Sequence, residues 1–151
     1  MMTSVQEFLD REASSWAAFD AQVSGVPEDR REVPGVAGEW SLKDVVWHCG
    51  HWVRFAADHL NLATDDPFVD PFDGHADEHW DAVNAEIAEV SAAMSWDEVM
   101  TGVQEARTSL RAAVTRPGLR PEPIAWAAEE SWIHYDEHGA DVKAFVDRPA
   151  P

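Results

Sequence analysis

Two parts of the chain put imidazoles where they could meet a metal ion: His134-Tyr135-Asp136-Glu137-His138 towards one end, and His48 with His51 nearer the middle. Histidines four residues apart on a helix have their Cβ atoms about 5–6 Å apart, close enough for two rings to converge on one ion. On a helical wheel at about 100° per residue, Glu130, His134, His138 and Asp141 share one stripe with Ala127 and Phe145. Trp126, Ile133 and Ala144 flank it on one side and Tyr135, Val142 and Val146 on the other, while Glu129, Asp136, Lys143 and Asp147 lie opposite. The ionisable stripe therefore faces inward. Burying such groups costs hydration unless they are paired or bind a cation, and a metal ion resolves that cost.

An isolated His-x-x-x-His is common by chance, so the pair needs a third ligand from elsewhere. Leu42, Val45, Cys49, Trp52, Val53, Ala56 and Leu60 define the apolar face of an earlier helix, with His48 at its edge beside Trp52 and Phe55. His51 projects about 60° away, towards Asp44 and Asp58, and Cys49 reads as a small buried hydrophobe. His75 and His79 form a competing pair, but their flanks Ala76, Asp77, Glu78 and Asp81 read as solvent-facing; of the two, His79, beside Trp80 and Asn84, is the one that would reach the rim of the site. His59 reads as a satisfied histidine. The metal ligands expected from this pattern are His48, His134 and His138.

Helices must carry these residues. Val5, Phe8, Leu9, Trp16, Phe19 and Val23 recur at helical spacing and predict a helix over about 3–23, followed by a Gly- and Pro-rich loop to Glu39. Ser41 with Asp44 approximates a capping box that opens a helix running to about Leu62. An acidic, aromatic loop over 65–74 leads into a short helix over about 76–93. Ser95 and Glu98 form a second capping box, starting a helix to about Thr115, and Pro117, Gly118, Pro121 and Pro123 force a break before the last helix, about 123–147. No segment alternates at period two. The expected fold is all-α: one domain over 1–151, a four-helix bundle with an extra short helix before the third long one.

Composition narrows the partners. One Cys excludes a disulfide framework or a site of several thiolates, and the eight Trp and six Phe supply a helical core. No membrane span or signal region is evident, so a cytoplasmic location is expected. The formal net charge of −18, from 29 acidic and 11 basic residues, repels phosphate and anionic lipid. We therefore expect no nucleic-acid or membrane partner; the partner expected is a small-molecule substrate, and the protein a monomer or homodimer.

The string Trp40-Ser41-Leu42-Lys43-Asp44-Val45-Val46-Trp47-His48 resembles the Trp-Ser-x-x-Asp-x-x-x-His motif of DinB-like proteins and of the N-terminal domain of mycothiol-dependent maleylpyruvate isomerases. His134-Tyr135-Asp136-Glu137-His138 is similar to their last-helix motif, and His138-Gly139-Ala140-Asp141-Val142 resembles the His-x-x-Asp-Leu ending of the isomerase branch. The resemblance spans nearly the whole chain. It implies a four-helix bundle with a three-residue metal site, often zinc or nickel, open to water and a thiol cofactor. The isomerases carry Glu at the position of His134 and have an appended C-terminal domain, which argues against maleylpyruvate as substrate.

Together these features predict an enzyme that uses one divalent ion, zinc foremost and nickel next, to turn a mycothiol- or bacillithiol-type thiol into a thiolate that attacks a small electrophile. Asp141 and Glu130, one turn from a ligand, are the expected catalytic carboxylates, with Asp44 a further candidate for orienting an imidazole. Trp47, Trp52 and Trp80 are expected to line the cofactor pocket, with Trp132 a further candidate. A metal-dependent hydrolase and a bundle that binds a small molecule or toxin without turnover are the alternatives.

Overall fold

A computed structural model describes residues 4–62 and 68–148, and those residues contain helices and no strand. The elements are α1 (Val5–Ser24), α2 (Leu42–Leu62), α3 (Asp77–Ala92), α4 (Trp96–Val114), α5 (Pro121–Ala128), a π turn (Glu129–Ile133) and α6 (His134–Asp147). Alone among the long helices, α2 packs against α3, α4, α5 and α6, so it is the axis of the bundle, and α1 closes the other side against α6. The extra helix is α3, laid on α2 ahead of α4. Part of the expected 65–74 loop, residues 65–67, lies outside the described residues.

Helix starts are fixed by side chains that take the otherwise orphaned first-turn amides. Ser41 Oγ accepts from the Asp44 amide (3.2 Å) while the Asp44 carboxylate accepts from the Ser41 amide (3.0 Å). The same reciprocity joins Ser95 and Glu98 at α4. Pro121 occupies the first turn of α5, where its missing N–H costs nothing.

Phe8, Phe19, Leu42, Val45, Val53, Leu60, Val103, Leu110 and Tyr135 are fully or almost fully buried, each large apolar side chain contributing about 1.5–3 kcal/mol. Where α2 crosses α4, a Cβ on Gly50 would stand 2.6 Å from Val103 Cγ2, so that close approach requires glycine. A buried ion cluster ties α1 to α4 and α6. Glu12, fully buried, accepts from Arg107 (2.6 and 3.1 Å), Arg111 (2.7 Å) and the Tyr135 hydroxyl (3.3 Å).

The expected last helix is continuous in space but not in geometry, because Glu129–Ile133 widen into a π turn. Ser131, fully buried, donates its hydroxyl to the Ala127 carbonyl (2.7 Å) within that turn. Downstream, Ala144 and Val146 are exposed instead of flanking a buried stripe. A wheel shows which face turns inward but not whether a neighbour covers it.

Candidate metal centre

The ligand stripe on α6 meets the edge of α2. His48 is buried, with its ring centroid 5.3 Å from that of His134 and 5.0 Å from that of His138. The two α6 rings lie nearly parallel, 5.8 Å apart, and the His48 ring stands almost perpendicular to both. One nitrogen from each ring falls within 4.8 Å of the others. The group could hold a metal ion.

Charge and hydrogen bonding fit that role. Burial, then the neighbouring charges of His134, His138 and His51, pushes His48 down to about 2, and burial followed by His138 lowers His134 to about 4, with the Glu130 backbone carbonyl opposing. Both rings are therefore neutral with lone pairs available, as metal ligation requires. His48 Nδ1 and His134 Nδ1 are buried without a hydrogen-bond partner among the described residues. Leaving such atoms unpaired costs about 1–3 kcal/mol each, a cost that coordination through Nδ1 would remove.

The two carboxylates on the stripe differ. Asp141 Oδ2 lies 3.0 Å from His138 Nδ1, a hydrogen bond that leaves Nε2 as the ring's ligand atom. Glu130 is buried, and its Oε2 is 3.9 Å from His134 Nδ1, too far for a hydrogen bond. Burial, then Glu129, Asp70 and Glu137, raises its carboxyl to about 8.

The indoles separate into two groups. Trp52 stands edge-on to His48 (6.5 Å) and so walls the triad, while Trp80 stands edge-on to Trp52 (5.9 Å), one ring further out. Trp52 Nε1 donates to Asn84 Oδ1 (3.1 Å), which brings α3 into that wall. Trp47, about 100° round α2 from His48, turns instead to α4, where it lies over Gly102 and lines with His51 a separate cavity of about 280 Å3. Trp132 faces α1 under the Arg11 guanidinium (4.8 Å). The Asp44 carboxylate is taken by Ser41 and by the Ser91 hydroxyl (2.6 Å), so it braces α2 against α3 and does not orient an imidazole. His59 Nδ1 is 3.0 Å from the Phe55 carbonyl oxygen.

Three neighbours of the site escaped the sequence reading. Trp40 packs its ring 4.9 Å from His48. The turn that delivers it, Ala37 to Trp40, contains Gly38 at φ 57°, a left-handed position that favours glycine. Trp40 belongs to the Trp-Ser motif, which could have flagged it. Phe72, 5.6 Å from Trp52, and Asp70, whose charge reaches Glu130, come from a loop without periodicity.

The chain belongs to the DinB superfamily, which its residues 13–141 match. No curated protein matches it in sequence. Among solved structures it is similar to the colibactin self-resistance protein ClbS, crystallised in complex with double-stranded DNA, with TM-score 0.81, 12% identity and 99% of each chain covered. It is also similar to the sibling lethal factor precursor DfsB (TM-score 0.74, 16% identity, covering 99% of this chain and 100% of the other). An uncharacterised protein from Escherichia coli UTI89 shares the fold at TM-score 0.76 and 12% identity, over 97% of this chain and 94% of the other.

The ClbS complex corrects one expectation. Net charge led us to exclude nucleic acid, yet a protein of this fold is crystallised with double-stranded DNA. A charge of −18 is a sum over the whole chain, whereas a duplex meets only a local surface, so the sum does not decide the question. For membranes the described residues show only that no helix is long and apolar enough to cross one.

Proposed function

We propose that the protein is a metal-dependent transferase that joins a low-molecular-weight thiol of the mycothiol or bacillithiol type to a small electrophile. The observation that carries this reading is the group of three imidazoles, His48, His134 and His138, at the meeting of α2 and α6. When bound there, a divalent ion, zinc foremost and nickel next, would supply a cationic, coordinatively open centre that lowers the pKa of a thiol. Asp141 holds the His138 ring in one tautomer and orientation through its Nδ1. The thiol proton passes to water, and Glu130, a buried carboxyl beside His134 that keeps its own proton below about pH 8, is placed to protonate the departing group. The sulfur then bonds to the electrophilic carbon, and the leaving group departs with its bonding pair. Trp52, backed by Trp80, keeps water from one side of the reacting groups.

The test is turnover of monobromobimane or chlorodinitrobenzene by zinc-loaded protein with and without mycothiol, bacillithiol or glutathione. A thiol-dependent rate above the uncatalysed one, lost in His48→Ala, supports the transferase. Turnover with water alone points to a hydrolase.

A second reading, capture of a small toxic molecule without turnover, draws on the self-resistance role in the name of ClbS. Equilibrium binding with unchanged ligand recovered afterwards supports it. Binding of a DNA duplex at low salt, measured on the same preparation, tests whether the ClbS partner extends to this chain.

A further inference from the structure

Where α2 packs on α4, a cavity of about 280 Å3 opens beside the indole of Trp47. Trp47, Phe55 and Ala106 give it an apolar wall, and the exposed carboxylates of Asp58 and Glu105 border it. Gly102 lets the indole settle on α4, since a Cβ there would stand 2.7 Å from Trp47 Cζ3. Among the described residues five arginines stand over aromatic rings, and none of them stands over Trp47.

The charges around the cavity do not cancel. Arg54 pairs with Asp58 (3.2 Å) and donates to Ser109 Oγ (3.4 Å). Glu105 has no ion-pair partner among the described residues. His51, which also lines the cavity, is held below its ordinary value by burial, so at neutral pH it brings no positive charge. One uncompensated carboxylate therefore borders the cavity together with an indole that no cation covers.

We propose that this cavity binds a small organic ammonium ion, a protonated or quaternary amine with an apolar body, through Trp47 and Glu105. The site is separate from the triad and does not rest on the thiol reading. A cation over an indole gains about two- to fivefold in affinity at an exposed site, and Glu105 supplies the opposite charge. The volume lies just under the range of about 300–1,000 Å3 usual for ligand pockets, which keeps the ligand small. A bare divalent ion does not fit, because among the described residues only the triad brings three ligand atoms together.

Titration with choline and with its uncharged isostere 3,3-dimethylbutan-1-ol, at fixed ionic strength, tests this. The readouts are the ligand resonances and the Trp47 indole N–H resonance, assigned by its absence in Trp47→Leu. We expect saturable choline binding in the wild type and weaker binding of the isostere. Glu105→Gln should weaken choline about two- to fivefold, the range of an exposed ion pair, and leave the isostere unchanged. Trp47→Leu should weaken choline by a similar factor; Glu105 is exposed, so its variant serves even if Trp47→Leu does not fold, and an unchanged melt verifies it. Asp136→Asn on α6 removes one charge of the net −18 elsewhere and should leave choline binding as it is, as should His48→Ala. No saturation by choline in the wild type, equal affinity for the isostere, an unaltered choline affinity in Glu105→Gln, or a loss of binding in His48→Ala overturns the proposal.

Discussion

Replacing Asp141 by Asn tests how the site is held together. The Asp141 carboxylate accepts from His138 Nδ1 at 3.0 Å, which fixes the tautomer that leaves Nε2 free for an ion. An amide oxygen can still accept that bond but carries no charge, so the imidazole becomes a weaker electron donor. Losing an outer partner of this kind typically costs about 10–100-fold in metal affinity, or about 1.4–2.7 kcal/mol. The Asp141 side chain is 45% exposed, so solvent screens part of its charge and the lower end applies, about tenfold. Competition with a chromophoric chelator reads the zinc affinity directly. Asp136→Asn is the control: it removes the same charge from an exposed position on the same helix. Asp141→Asn should weaken binding about tenfold relative to Asp136→Asn, with the metal-free melts of the two variants alike. Equal affinities would refute the reasoning, because Asp141 would then act only as one more surface charge.

Glu12→Ala should destabilise the fold by about 3 kcal/mol in urea unfolding, since it strands Arg107 and Arg111 and deletes the acceptor of the Tyr135 hydroxyl. A change under 1 kcal/mol, on the order of an exposed ion pair, would contradict this. Metal-free protein should be most stable near pH 6.5. His48 and His134, pushed down to about 2 and about 4, contribute stability above their unfolded value that is lost as pH falls below it. Glu130, raised to about 8, contributes stability below its unfolded value that is lost as pH rises through 8. Between pH 4.5 and 6.5 the two histidines outweigh the carboxyl, and above 6.5 the carboxyl acts alone. Melts across pH should show this maximum, and Glu130→Gln should remove the alkaline fall; a wild-type curve flat from pH 5 to 8 would contradict it.

The legible parts of the sequence are those where a local rule and the tertiary structure agree. Ser41 with Asp44 and Ser95 with Glu98 announce helix starts because capping is local chemistry. His48, His134 and His138 stand out because ionisable residues on an inward stripe need a reason to be there. The π turn was not legible. It adds width within an otherwise regular helix and has no compositional signature, so a wheel run at one constant angle passes through it unaware. Trp47 and Trp52 read alike as types, but their places on α2 send one to α4 and the other to the triad. Asp44 looked like an orienting carboxylate until α3 was seen to bring Ser91 to it, a contact between residues 47 apart in sequence.

The central claim is that the meeting of α2 and α6 holds one divalent ion on three imidazoles. Elemental analysis of protein made without a histidine tag and dialysed to remove weakly held ions tests it most directly. We predict one zinc or nickel per chain in the wild type, unchanged in His75→Ala and His79→Ala, and a loss in each of His48→Ala, His134→Ala and His138→Ala. Wild-type protein that carries no ion and takes none up, or three triad variants that keep full stoichiometry, would contradict the account.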